Sequence, residues 1–325
     1  MRRYLLAAAI VLAGCSTSVS GSSARDAGSI AFRTYASDAF WKHWGDGKAE
    51  MSGYRVTTER YGTKRSGQMV LVFVTETMDS RVWIKEDRQE APESARVPVI
   101  KLNHMLYFRT GIYPYSVMTS IFSPVHGIVD RERFAPVKIA FSAQEWCGHV
   151  YHQLRPTAQG FKSEIRSYFY SEGDREASVE TAAGTLYEDA LLIQLRELDG
   201  PFADGAESWS GQLVPTVWGA RKVHKPLAPV AATIRRSEAE VDGQAVRRFV
   251  LEHSGATRTF DIEKAAPHRV LRWTDSRGEE AVLLKTARLA YWKLNHAGEE
   301  SYLEQIGLAP TGGAGFEPVK PASTP

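Results

Sequence analysis

The feature that most restricts the fold of this chain is a series of short β-prone segments closed by tight-turn residues in its last third. Segments near 228–239, 244–253, 257–263, 268–274 and 280–290 are joined at Asp242-Gly243, Ser254-Gly255 and Ser276 to Gly278. Such residues supply the positive φ that hairpin turns require. Connections this short join antiparallel neighbours, because a parallel crossover takes about a dozen residues or more. With a further strand near 213–224, residues 201–308 are expected to form an antiparallel meander.

The preceding part has the same texture. Ala49 to Tyr61 and Gln68 to Met78 are rich in Val, Thr, Tyr and Phe, with a turn at Gly62 to Gly67 between them. Val82 and Ile84 extend the sheet, and Glu86 to Arg96 reads as a loop. Val97 to Phe108, Pro136 to Gln153 and Phe161 to Ser171 are further strands, whereas Pro114 leaves Thr110 to Ser123 undecided. In 161–171, Phe161, Ile165 and Phe169 share a face with Ser163 and Ser167.

Two helices are expected. Phe32, Tyr35, Ala36, Ala39, Phe40, His43 and Trp44 recur at helical spacing, which predicts a helix over 28–44, either packed on the core or lying as a lid over a cavity. Thr185 and Glu188 form a capping-box pattern, followed by Leu191, Leu195 and Leu198 and stopped by Gly200-Pro201. The expected fold is mainly β: a curved antiparallel sheet, barrel or half-barrel with two helices. The β-rich part 30–200 and the meander 201–308 could be two β subdomains separated by the Thr185 helix. The tail 309–325 is expected to be disordered.

The N-terminus carries an address. Arg2 and Arg3 precede the apolar run Leu5 to Leu12, which ends in Leu12-Ala13-Gly14-Cys15. A run of about 8 residues is far short of the roughly 20 that span a bilayer. Residues 1–14 therefore read as a signal peptide with a lipobox, and Cys15 as the lipidated first residue of the mature chain. Residues 15–29 read as a flexible tether. Ser16 in place of Asp resembles the pattern that sorts lipoproteins to the outer membrane. The expected location is the cell envelope, on the periplasmic face of the outer membrane, with the membrane itself as a partner.

A net charge of +2 gives no sign of a nucleic-acid partner. The chain has 2 cysteines. With Cys15 lipidated, Cys147 has no partner for an internal disulfide. Its surroundings are Gln144-Glu145-Trp146-Cys147-Gly148-His149. Read as part of one strand over 136–153, Glu145, Cys147 and His149 project from the same face. Three readings of that row are open. Cys147 is a small buried residue whose charged neighbours bond to other strands, or the row contacts a polar ligand, or His149 activates Cys147 as a nucleophile. Trp146-Cys147-Gly148-His149 lacks the second thiol of a dithiol exchange site, because position 150 is Val150. Glu145, His149 and His152 could share a metal only on a helix, so no metal is expected. Gln144, Trp146, Tyr113 and Tyr115 are candidate pocket residues. No P-loop, nucleophile elbow or dinucleotide fingerprint occurs, so no cofactor is expected.

Several strings, among them Trp44-Gly45-Asp46-Gly47-Lys48, Val72-Phe73-Val74-Thr75-Glu76, Thr110-Gly111-Ile112-Tyr113-Pro114-Tyr115 and Gln144 to His149, resemble an uncharacterised family of bacterial envelope lipoproteins. Some of its members carry the label septum formation inhibitor Maf. That label implies a cytoplasmic α/β nucleotide pyrophosphatase, which has neither an export signal nor this β pattern. The stretch Phe260 to Leu303 is similar in texture to periplasmic half-barrel proteins of the lipoprotein-carrier kind, which implies a curved sheet with an apolar concave face. The expected function is that of a non-enzymatic, lipid-anchored envelope protein that binds an apolar or lipid-like ligand, or an envelope protein partner. The alternatives are a hydrolase or transferase using Cys147, His149 and Glu145, and a ligand-free scaffold.

Overall fold

In a computed structural model, the structure describes residues 32–128, 132–197, 202 and 204–310. The signal peptide, Cys15 and its tether, Leu198, Gly200-Pro201 and the tail from 311 lie outside the described residues.

The chain begins with β1 (Phe32–Thr34) and α1 (Asp38–Trp44). The long strands β2 (Ala49–Arg60) and β3 (Thr63–Asp79), the short β4 (Ile84–Lys85), β5 (Arg96–Thr110) and β6 (Tyr113–Pro124) follow. Next come β7 (Gly127–Ile128), β8 (Lys138–Glu145), β9 (Gly148–Thr157), β10 (Gly160–Ser167), β11 (Arg175–Glu180) and β12 (Leu186–Tyr187). The second part holds α2 (Leu191–Glu197), β13 (Ser208–Val214), α3 (Val217–Lys222), β14 (Val230–Val241), β15 (Gln244–His253), β16 (Ala256–Glu263), β17 (Val270–Asp275) and β18 (Glu280–Leu289).

Apart from a small β1–β7 pair, these strands form one 16-stranded sheet in the order β11-β10-β9-β8-β6-β5-β3-β2-β18-β17-β16-β15-β14-β13-β12, with β4 on β3. The pairing is antiparallel except between β12 and β13. The expected mainly β, curved antiparallel sheet is what forms, and it stays open. Its edges, β11 and β12, approach each other across residues 181–187. There Thr181 N–H donates to the Gln159 carbonyl (3.0 Å), and Ala182 N–H to Gln212 Oε1 (2.9 Å). The meander joins the first part through β18 on β2, from Glu280 opposite Thr57 to Leu289 opposite Ala49. The strands of the two parts therefore run on in a single sheet.

Period-two alternation fixes which residues face inward. On β2, Glu50, Ser52, Tyr54, Val56, Thr58 and Arg60 are the buried inward set. Neighbouring strands add Phe73, Leu102, Leu106, Phe108, Val117, Phe141 and Leu154. β2 and β3 are also buried on their outer face, where Ile306 and Leu308 cover Ala49, Val70, Val72 and Val74. That is why Gly53 faces outward there. A Cβ on it would stand 2.2 Å from the Ile306 carbonyl oxygen.

The turns β2–β3, β5–β6, β8–β9 and β10–β11 lie at one end of the sheet, here the upper end. The connections β3–β5, β6–β8 and β9–β10 lie at the lower end, as does the start of the described chain, because β1 pairs with β7.

Three helical expectations need correction. The first helix starts at Asp38, not near 28. The Ser37 hydroxyl caps it by accepting from Phe40 N–H (3.2 Å), and Phe32 pairs as strand with Ile128. Thr185 caps nothing. Its hydroxyl donates to the Ala182 carbonyl (2.7 Å), and a 3₁₀ turn over Glu188–Ala190 leads into α2. Residues 213–224 are not one strand. Pro215 ends β13, and the Thr216 hydroxyl caps α3 by accepting from Gly219 N–H (3.0 Å).

α2 fills the concave side of the sheet. All of Leu191 to Arg196 is buried, and the Arg196 side chain is 1% exposed. Arg196 Nη1 donates to Glu50 Oε1 (2.7 Å), Nη2 to Glu50 Oε2 (3.3 Å) and to the Pro267 carbonyl (2.9 Å). Its guanidinium lies 4.4 Å from the Phe73 ring centroid and 5.1 Å from that of Trp44. Burial pushes the Glu50 carboxyl upward. The Arg196 charge and the His43 and Arg196 hydrogen bonds outweigh it and hold the group at about 2. Removing one partner strands the other charge, so Arg196→Met is expected to cost about 3–5 kcal/mol in urea unfolding. The double variant with Glu50→Gln should cost less than the sum of the two single changes. Because folding lowers the Glu50 value, its contribution is complete above pH 4.5 and fades as pH falls toward 2. An acid titration of stability should show that slope in the native chain and a shallower one in Glu50→Gln.

Candidate functional site

A cavity of about 210 Å³ lies at the upper end, between the inward faces of β8 to β11 and the α3–β14 connection. Phe141, Val150, Ile165, Val179, Pro226 and Leu227 give it apolar walls. The alternation read at 161–171 places Ser163 inside, and the same alternation on β9 turns His152 inward while His149 faces out. His152 Nε2 and Ser163 Oγ are 2.7 Å apart on adjacent strands, both buried. Burial pushes the imidazole down to about 4, so it is neutral at physiological pH.

The mouth is charged. Glu172 Oε1 lies 2.8 Å from both Arg221 Nη1 and His224 Nδ1, and Glu172 Oε2 accepts from the Ser167 hydroxyl (2.7 Å). Arg175, Arg221 and Lys225 line the opening beside this single carboxylate. Arg175 donates to the Ser171 carbonyl (2.7 Å), and among the described residues it forms no ion pair. The Arg221 guanidinium lies 4.8 Å from the Phe169 ring centroid.

α3 is held over the cavity by the turn that precedes α2. Glu188 Oε2 accepts from Thr216 N–H (3.1 Å) and Asp189 Oδ2 from Val217 N–H (2.9 Å). Glu188 also accepts from Arg258 (2.9 Å) and lies 3.4 Å from His253. Burial pushes the Asp189 carboxyl up to about 7, although the Val217 N–H opposes it. On the other side Trp218 stacks on Phe141 with ring centroids 6.2 Å apart, and Arg60 Nη1 donates to the Lys222 carbonyl (3.0 Å).

The Glu145, Cys147 and His149 row expected from one continuous strand does not form. The chain reverses at Trp146 and Cys147, so Glu145 pairs with Gly148 and Gln144 with His149 across a hairpin. Reversal resets the alternation, and His149 points outward. Cys147 is exposed at the tip, with its N–H donating to Glu145 Oε2 (2.7 Å). A hydrogen bond to the Glu145 carboxylate, a little burial and the Glu145 charge together raise the thiol above its ordinary value. This is the opposite of nucleophile activation. Gln144 and Trp146 are exposed at the same tip, and Trp146 stands 6.2 Å from Tyr113. Tyr115 is buried, stacked on Phe108 at 4.8 Å with its hydroxyl 2.8 Å from that of Tyr61. These four aromatic and amide side chains lie at the same end as the cavity but outside its lining.

Because 136–153 reads as one strand, His152 is missed, and Ser163 is the cavity group within reach of the sequence pattern. Arg221 and His224 are not, because 213–224 reads as a strand. Among the described residues, no group of three or more His, Cys, Asp and Glu converges as metal ligands, and no helix is long and apolar enough to cross a membrane.

No family model and no curated protein matches the chain. Among solved structures, it is similar to the crystal structure of a beta-barrel-like protein of domain of unknown function DUF1849 from Brucella abortus. The identity is 11%, the TM-score 0.45, and the match covers 74% of this chain and 98% of that one.

Native Cys147 is expected to react with a maleimide without unfolding, and Glu145→Gln to react faster at neutral pH because the carboxylate no longer disfavours the thiolate. Labelling rates with and without urea check both, and protection in the native state would contradict the hairpin-tip placement.

Proposed function

We propose that this is a lipid-anchored envelope protein of non-enzymatic type that binds a small anionic amphiphile in the cavity under α3. The observation that carries the reading is the polarity of that cavity, with apolar walls below and three cations beside one carboxylate at the mouth. Apolar walls favour a hydrocarbon segment at roughly 25 cal/mol per Å² buried. The cationic excess at the mouth, where Glu172 pairs with Arg221, favours an anionic head. A volume of about 210 Å³ lies under the roughly 300–1,000 Å³ of ordinary ligand sites, which suits one short chain rather than a whole phospholipid. The lipobox at Cys15, the tether 15–29 and the resemblance to envelope lipoproteins support anchoring on the periplasmic face of the outer membrane. Two or more acyl chains on one residue give stable attachment.

Two outcomes are expected. A high-salt wash should release the full chain with Cys15→Ser from membranes and leave the native chain bound, and retention of the variant through that wash would remove the lipid anchor. In the same chain, calorimetry should show decanoate binding near one to one and more tightly than decylamine. Val150→Trp, which fills the cavity from β9, should weaken decanoate at least tenfold. Equal binding by the filled variant would place decanoate elsewhere and sink the cavity reading.

A further inference from the structure

The convex face of the sheet carries a second arrangement that the lumen does not use. One cross-strand row holds Lys101 on β5, Phe122 on β6, Lys138 on β8, Arg155 on β9 and Lys162 on β10. Lys101 stands opposite Phe122, Phe122 opposite Lys138, and Arg155 opposite Lys162. Lys138 and Arg155 are one step beyond the pair Ile139–Leu154, which sets them side by side. Like charges placed directly opposite on a sheet destabilise it.

The flanks of the row are compensated and its middle is not. Glu76 accepts from Lys101 (2.7 Å) and Lys85 (3.0 Å), and Glu176 lies 3.2 Å from Lys162. Lys138 donates to the Trp83 carbonyl (3.4 Å), and Arg155 to the Val82 carbonyl (3.3 Å). Among the described residues no carboxylate pairs with either cation. Burial, and then the Arg155 charge, lower the Lys138 value, as an ammonium without a counter-ion requires.

A depression of about 260 Å³ adjoins Lys138, walled by Lys85 and Lys101 with Met78, Met118 and Phe122. Beside it Val82 and Ile84 stand 45% and 55% exposed. The described chain begins at the same place: Phe32 packs in one cluster with Trp83 and Phe122. Sixteen residues lie between Cys15 and Phe32, a span of at most about 60 Å.

We propose that this row docks on an anionic lipid surface, with the phosphate oxygens of a headgroup between Lys138 and Arg155 and with Val82 and Ile84 in the interfacial layer. Exposed apolar residues beside unpaired cations are the chemistry that such a surface recognises. The position, next to the segment that leads to Cys15, fits a domain held against the membrane that anchors it. Of the proposed function, only the anchor is used here.

The test uses the full chain with Cys15→Ser and sedimentation with vesicles of phosphatidylcholine, alone or mixed with phosphatidylglycerol. Binding is expected to the mixed vesicles and to fall with added salt. At roughly 1 kcal/mol for each basic residue near the surface, the double variant Lys138→Gln with Arg155→Gln should bind about 30-fold more weakly. Lys138→Arg should retain binding, as should Lys64→Gln with Arg277→Gln at upper-end turns. A thermal midpoint within a few degrees of the parent establishes that the double variant is folded, and its decanoate affinity should be unchanged, which separates this test from that of the cavity. Equal binding to pure phosphatidylcholine overturns the proposal, as does indifference to the double variant. Displacement of the vesicles by inorganic phosphate that itself depends on Lys138 would make the row a free-anion site and also overturn it.

Discussion

The pair of Arg196 and Glu50 decides how this sheet is filled. Glu50 stands on the inward face near the lower end of β2, and Arg196 reaches it from α2 with two donors, a third going to the Pro267 carbonyl. A buried ion pair adds little net stability, because desolvation offsets most of its Coulomb attraction. What it does impose is position. A guanidinium at 1% exposure has few places to go, and here it is fixed between a carboxylate and the rings of Trp44 and Phe73. That fixes the rotation and depth of α2, and hence which apolar side chains of α2 face which strands.

From α2 the constraint passes to the cavity. Glu188 and Asp189, in the turn just before the helix, accept the first N–H groups around α3. Those N–H groups have no partner within α3, so the carboxylates both satisfy them and locate the segment. Trp218 then stacks on Phe141, and the last turn of α3 with the chain after it carries Arg221, His224 and Lys225 to the mouth. Concave and convex faces thus have separate chemistry. The inside pairs its buried charges, as in Arg196 with Glu50 and Arg258 with Glu188, and has a charged opening at the upper end. The outside bears a row of cations near the lower end, where the described chain begins.

Period-two patterning is a local property, and the parts of the molecule that depend on it were legible. The turns at Asp242-Gly243, Ser254-Gly255 and Ser276 to Gly278 fall where β14 to β18 reverse. Ser163 lies on the apolar side of β10 as its spacing from Phe161 and Ile165 implies. Pattern failed where a short interruption changes direction. Trp146 and Cys147 look like the middle of a strand because Glu145 and His149 continue the alternation. Two residues suffice for a hairpin, and reversal there separates Cys147 from His149 and brings His152 inward instead. Val217 to Lys222 has β-like composition, yet Pro215 and the Thr216 cap turn it into helix.

The sequence by itself determined a curved antiparallel β fold, the turn positions in its last third and the lipobox pattern at Cys15, since each is written in residues close together along the chain. Tertiary structure alone decided the rest. It joined β18 to β2, residues more than two hundred positions apart, and put α2 inside the curve. It left the sheet open at β11 and β12, and set Lys101, Lys138, Arg155 and Lys162 in one row. The reason is register. Which residues of distant strands stand opposite one another depends on the whole sheet curving around one core, and no local pattern of side chains encodes that sum.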